Sequence, residues 1–183
     1  MQSPTEYRRS QIVLHWLMFL LFVIALATIE WRENVPRDGG QDLRNTLRAI
    51  HVSAGLLVFL LACARTTIRI RMGAPAILGE AAWQRASAHL LHWVLYAVMF
   101  ALPITGLIFS QAGGREVAFF GLSLPQMVAE NPDLRTWVKE VHELLGNAIY
   151  ALVGIHIAAS LWHHIVLKDE TLLRMRPGYR ARR

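Results

Sequence analysis

Residues Val141 to Val166 read VHELLGNAIYALVGIHIAASLWHHIV. The run is long enough to cross a bilayer, which takes about 20 apolar residues. It also carries His142, His156, His163 and His164. His142 and His156 are 14 residues apart, which at about 1.5 Å per residue is roughly 21 Å along a helix. Fourteen steps of about 100° return to within about 40° of the starting direction. One helix face therefore shows an imidazole near each side of the membrane. Few functions need that, and holding two haems in one electron path is the foremost of them.

The rest of the chain agrees with a membrane setting. Of 183 residues, 54% are hydrophobic and only 17% charged, which excludes an ordinary soluble domain and a disordered one. The expected architecture is all-α: a four-helix integral membrane bundle forming a single domain over residues 1–183. Its spans fall at about 11–31, 47–67, 88–109 and 141–166. The connections carry the breakers, with Pro36, Gly39 and Gly40 in the first and Gly73, Pro75 and Gly79 in the second. The third connection, 111–140, is the longest, and its NPDLRTWVKEV segment is read as beginning a helix that runs into the last span. Pro103 inside the third span is expected to kink it locally. The opening MQSPTEYRRSQIVLHW reads as a retained span and not a removed signal peptide.

Charge supplies an orientation. The net charge of +6 would suggest nucleic acid in a soluble protein, but these cations flank apolar spans. With the N-terminus in the cytoplasm, 12 basic residues fall inside (Arg8, Arg9, Arg65, Arg69, Arg71, Arg85, Lys168, Arg174, Arg176, Arg180, Arg182, Arg183) and 7 outside. Four acidic residues fall inside (Glu6, Glu80, Asp169, Glu170) and 9 outside. Both termini are therefore expected in the cytoplasm, with the basic C-terminus as an anchor. A lone cysteine, Cys63, leaves no intrachain disulfide or cysteine-based metal site to expect.

All eight histidines lie in or beside spans, where ionisable groups are costly and mark function. A single one would read as a hydrogen bond between helices; eight together do not. Depth sorts them into two layers. His51 and His142 lie at the outer level. His15, His89, His92, His156, His163 and His164 share the inner half, more than one metal centre needs. Gly55 and Gly146 follow His51 and His142 by four residues, on the same helix face, where a flat macrocycle needs a bare backbone. Close helix packing explains such glycines equally well. Zinc with an HExxH-type spacing is not supported, since HEL at His142 lacks its second histidine. Isolated histidines on different helices suit bis-histidine haem.

RRSQIVLHW, IHVSAGLLV, AHLLHWVLYAVMFALPITGLIFS, VHELLGNAIYALVGIHIAASLWHH and KDETLLRM, in that order, resemble bacterial cytochrome b561. The resemblance covers essentially the whole chain. It implies a multi-pass protein of the bacterial inner membrane with two haem b groups, held by His51 with His142 and by His15 with His156. By depth alone His163 suits His15 at least as well as His156 does. The resemblance further implies superoxide oxidation with ubiquinone as acceptor. Arg44, Arg48, Arg135 and Lys139 are outer cations for an anionic donor; Arg65, Arg69, Arg71 and Lys168 are inner ones, or partners of haem propionates. His89, His92, His163 and His164 are candidates for propionates, quinone oxygens or proton uptake, with His163, His164 and Lys168 the candidates for a catalytic role. Short loops favour a stand-alone enzyme with no obligatory protein partner. The alternatives are a cytochrome b subunit serving a partner dehydrogenase or hydrogenase, and a haem-free histidine-rich transporter or structural bundle.

Overall fold

The computed structural model describes residues 4, 6–79 and 81–179. Glu80, Arg180, Arg182 and Arg183, counted above among the inner charges, lie outside the described residues. Four long helices dominate: α1 (Arg9–Asn34), α2 (Gln41–Met72), α3 (Ala82–Ala112) and α4 (Pro132–Trp162). Each is long and apolar enough to cross a membrane, the fourth counted through Leu167. The bundle architecture is thus that expected, although every helix overruns its apolar span at one end or both.

The helix ends follow from local chemistry. α1 stops at Val35, the residue before Pro36, whose ring disfavours helical geometry in its predecessor. α2 stops at Gly73, which takes φ 69° at little cost. α4 begins nine residues before the span expected for it. Asn131 caps it, its side chain accepting from the Leu134 amide, and Pro132 fills a first-turn position that needs no amide donor. Pro103 lies inside α3 without ending it. At its far end α4 gives way to a π turn over His163–Leu167, closed by Lys168 at φ 53°. The long connection holds a hairpin of two-residue strands, β1 (Ala118–Phe119) and β2 (Leu122–Ser123).

Packing is uneven. α1 lies along α2 and α3 along α4, while these two helix pairs meet mainly through α2 and α3. The buried cluster is Met18, Leu21, Ala25, Ala54, Val58 and Ala62, all from α1 and α2. Large apolar side chains such as Leu20, Leu60, Trp93 and Ile155 are exposed, as a bilayer solvent requires. α1 and α4 are joined by few side chains. Tyr150 donates to Glu30 at 2.8 Å. At the end where α1 begins and α4 finishes, the terminal end, the Trp16 indole donates to the Met175 carbonyl at 2.8 Å. The same terminal end is tied by Gln11 donating to Gly73 O and Arg174 to Ala76 O. At the distal end Gln111, fully buried, organises the long connection. Its amide nitrogen donates to Pro125 O and its oxygen accepts from the amides of Met127 and Val128.

Candidate functional site

Two pairs of imidazoles face each other across the bundle. Toward the distal end, His51 of α2 and His142 of α4 have ring centres 6.3 Å apart. Toward the terminal end, His15 of α1 and His156 of α4 are 6.1 Å apart. Helix ends account for both meetings. His51 and His142 each lie ten residues after the start of their helix, about 15 Å. His15 lies six residues after Arg9, and His156 six before Trp162, about 9 Å each. The depth mismatch expected between His15 and His156 came from ending the fourth span at Val166, beyond where the α-helix stops.

The distal pair is oriented from behind. His51 Nδ1–H donates to Ala25 O at 2.8 Å, and His142 Nδ1–H donates to Leu102 O at 3.0 Å, with Thr105 Oγ1 at 3.1 Å. A carbonyl only accepts, so Nδ1 carries the proton and Nε2 keeps its lone pair for a metal. Gly106 makes room, since a Cβ there would lie 3.1 Å from His142 Cε1. A third imidazole lies beside His156 of the terminal pair. His92 sits 5.3 Å from His156, its Nδ1–H donating to Ala88 O at 2.6 Å. His89 is exposed.

Do these residues fit a haem iron? An imidazole nitrogen sits about 2.0–2.1 Å from a first-row metal and about 1.1 Å from its own ring centre, so a shared ion sets ring centres roughly 6.3 Å apart. Both pairs meet that spacing; His92 with His156 is too close for it. The distal pair also borders a cavity of about 830 Å³, within the roughly 300–1,000 Å³ of cofactor sites. Gly55 and Gly146 line it, and a Cβ at either would meet nothing within 4 Å. Nothing in the protein itself therefore asks for glycine there, although each costs a helix about 1 kcal/mol relative to alanine. The terminal pair fits by ring spacing. Arg65 stands near it, 14 residues after His51 on α2, donating to Tyr96 OH and Gln11 O at 3.1 Å each. Arg69 lines a small pocket with it.

Charge is lopsided in the distal cavity. Seven cations line it (Arg32, Arg37, Arg44, Arg48, Arg115, Arg135, Lys139) against three carboxylates (Glu30, Glu33, Glu143). Arg44 is largely committed, donating to Arg32 O and Val35 O at 2.7 Å each and so capping α1. Lys139 pairs with Glu143.

His163 does not join His15. Its Nδ1 donates to Asp169 Oδ2 at 2.5 Å, on the turn that follows the π segment. Partial burial pushes the Asp169 carboxyl up, but hydrogen bonds from His163 and Thr171 outweigh it and hold the group below its usual range. His164 and Lys168 are exposed. Sequence reading missed Asp169, Glu30, Tyr150 and Tyr96. The signal for Asp169 was a carboxylate six residues after a histidine at a helix end, which needs the π turn and the left-handed Lys168 before it becomes a contact.

Comparison with known proteins gives one answer. The family model for prokaryotic cytochrome b561 matches residues 6–178. Probable superoxide oxidase CybB of Yersinia pestis is 38% identical over 177 residues, covering 96% of this chain and 98% of that one. Cytochrome b561 homolog 1 of Escherichia coli (strain K12) is 34% identical over 173 residues, 94% of this chain and 97% of that one. Cytochrome b562 of Cereibacter sphaeroides is 28% identical over 178 residues, 96% and 98%.

Proposed function

The chain belongs to the prokaryotic cytochrome b561 family, membrane cytochromes b with an electron-transfer role, and from that premise we propose that it is a di-haem superoxide:ubiquinone oxidoreductase of the bacterial inner membrane. One haem b is held by His51 and His142, the other by His15 and His156. The observation that carries this reading is the two imidazole pairs, at ring-centre separations of 6.3 and 6.1 Å, toward opposite ends of one bundle. Each bound haem supplies a one-electron iron couple. The chain supplies the rest. Ala25 and Leu102 carbonyls aim the distal imidazoles. Gly55 and Gly146 would leave room for the distal haem, since both line the cavity without a side chain. Arg65 and Arg69, which line one small pocket at the terminal end, would supply cations for haem propionates there.

Superoxide as donor is supported by the cation excess in the distal cavity, which draws a small anion and lowers its energy beside the distal pair. The similar chain of Yersinia pestis carries superoxide oxidase in its name. Two superoxide ions, one ubiquinone and two protons give two O₂ and one ubiquinol. The terminal end, richer in cations by sequence count, faces the cytoplasm, so the distal cavity opens outward. Ubiquinone is reduced near the terminal haem, where His163, His164, His89 and Lys168 offer hydrogen bonds and protons. Two tests bear on this. Stopped-flow mixing with superoxide should reduce the haems rapidly, and the reduced protein should reoxidise with ubiquinone-1. Haems inert to superoxide would refute the donor, and reduced haems inert to ubiquinone-1 would refute the acceptor.

A further inference from the structure

We propose that Asp169 is a positioning residue for His163, and that the pair presents an N–H to a quinone carbonyl at the terminal end of the bundle. This rests on the ubiquinone reading above. His163 lies seven residues beyond His156, which is about 700° and so within about 20° of the same face, some 10.5 Å nearer the terminal end. It therefore stands on the histidine-bearing face of α4, below the His15–His156 pair. His164, one position on, is exposed.

The backbone is shaped to bring Asp169 under that ring. A π turn over His163–Leu167 replaces regular helix, and such turns are rare and frequent at functional sites. Lys168, at φ 53°, then reverses the chain in a conformation unusual for a residue with a side chain. The Asp169 amide donates to His163 O at 3.1 Å, and its carboxylate accepts from His163 Nδ1 at 2.5 Å. The other carboxylate oxygen accepts from the Thr171 amide at 2.8 Å. Trp16 and Arg174 fasten the following segment to α1 and to the α2–α3 connection, so Asp169 sits on docked chain. The side chains of His163 and Asp169 are 17% and 24% exposed, enough for water to reach them.

The consequence is chemical. When water at the terminal end protonates Nε2, Nδ1–H stays bound to the Asp169 carboxylate and the ring offers Nε2–H to the carbonyl. Ubiquinone takes two electrons, which originate in two superoxide ions, and two protons. One proton leaves His163 Nε2 as the O–H bond of the hydrogen-bonded carbonyl oxygen forms. The imidazole regains it from water at the terminal end, and water delivers the second proton to the other oxygen.

The test uses the full-length, haem-loaded protein in detergent, reduced with superoxide and mixed with ubiquinone-1. Asp169→Asn should keep two haems and reduce at the wild-type rate. Reoxidation at saturating ubiquinone-1 should fall roughly 10- to 100-fold, as for other lost orienting partners of histidine, with KM changing far less. Asp169→Glu should restore part of the rate. His163→Gln should slow reoxidation as much, and the double variant no further. Wild-type reoxidation in Asp169→Asn would overturn the proposal. Should Asp169→Asn lose haem, His163→Gln decides: slow reoxidation supports the pair, and normal reoxidation overturns it. Should superoxide fail to reduce the wild type, the donor assignment falls by itself. Dithionite-reduced protein then carries the same comparison for the pair.

Discussion

Replacing Gly146 by leucine separates two accounts of that glycine by the sign of its effect. A Cβ at Gly146 meets no protein atom within 4 Å, so in the polypeptide alone the first side-chain carbon is free of clashes. Glycine inside a helix costs about 0.5–1 kcal/mol relative to alanine, so helix propensity alone favours the replacement by up to roughly fivefold in the folding equilibrium. The haem account gives the opposite result for the loaded protein. Gly146 follows His142 by one turn on the same face and lines the distal cavity. A ring held by His142 would lie against that backbone, and a leucine would occupy its place. Haem content should fall from two to one per chain while the protein remains folded. Gly154 is the control. A Cβ there also meets nothing within 4 Å, but it lies two residues, about 200°, from His156 and is exposed. Gly154→Leu should keep both haems. The assay is haem per polypeptide, with circular dichroism for fold. Two haems retained in Gly146→Leu, at wild-type spectrum and affinity, would refute the reasoning.

Other outcomes follow from the same geometry. His142→Ala and His156→Ala should each remove a different haem, while His163→Ala keeps both; optical spectra of the three purified variants decide this, and loss of a haem in His163→Ala contradicts the pairing. Haem reduction by superoxide should slow as salt rises from 20 to 500 mM on the order of the screening expected for exposed charges, and Arg48→Gln with Arg115→Gln should flatten that dependence; a rate indifferent to salt removes the electrostatic case. Gln111→Ala strands buried partners in the long connection and should destabilise by about 2–4 kcal/mol in denaturant titration; a loss under roughly 0.5 kcal/mol means water replaces the side chain readily.

Much of the fold was legible because a bilayer permits few solutions: about 20 apolar residues per crossing and every backbone group satisfied within its helix. The distal histidine pair was legible for a related reason. His51 and His142 lie equally far into helices that start at the same end, and their depth could be judged from flanking charge. The terminal pair was less so, because an apolar run does not reveal where α-helix yields to a π turn, and four residues of error moved His156 about 6 Å in apparent depth. Interactions made by turns stayed out of reach. Asp169 meets His163 only after Lys168 reverses the chain, and Gln111 reaches Pro125, Met127 and Val128 across a connection of irregular backbone. Arg44, expected as a cation for an anionic donor, is spent on the carbonyls at the end of α1, a role that sequence distance of 9 and 12 residues does not suggest.

Haem stoichiometry tests the central claim most directly. Protein purified in mild detergent, from cells given ample 5-aminolevulinate, should carry two haem b per polypeptide by pyridine haemochrome against amino-acid analysis. One haem per chain, or colourless folded protein, would contradict the account.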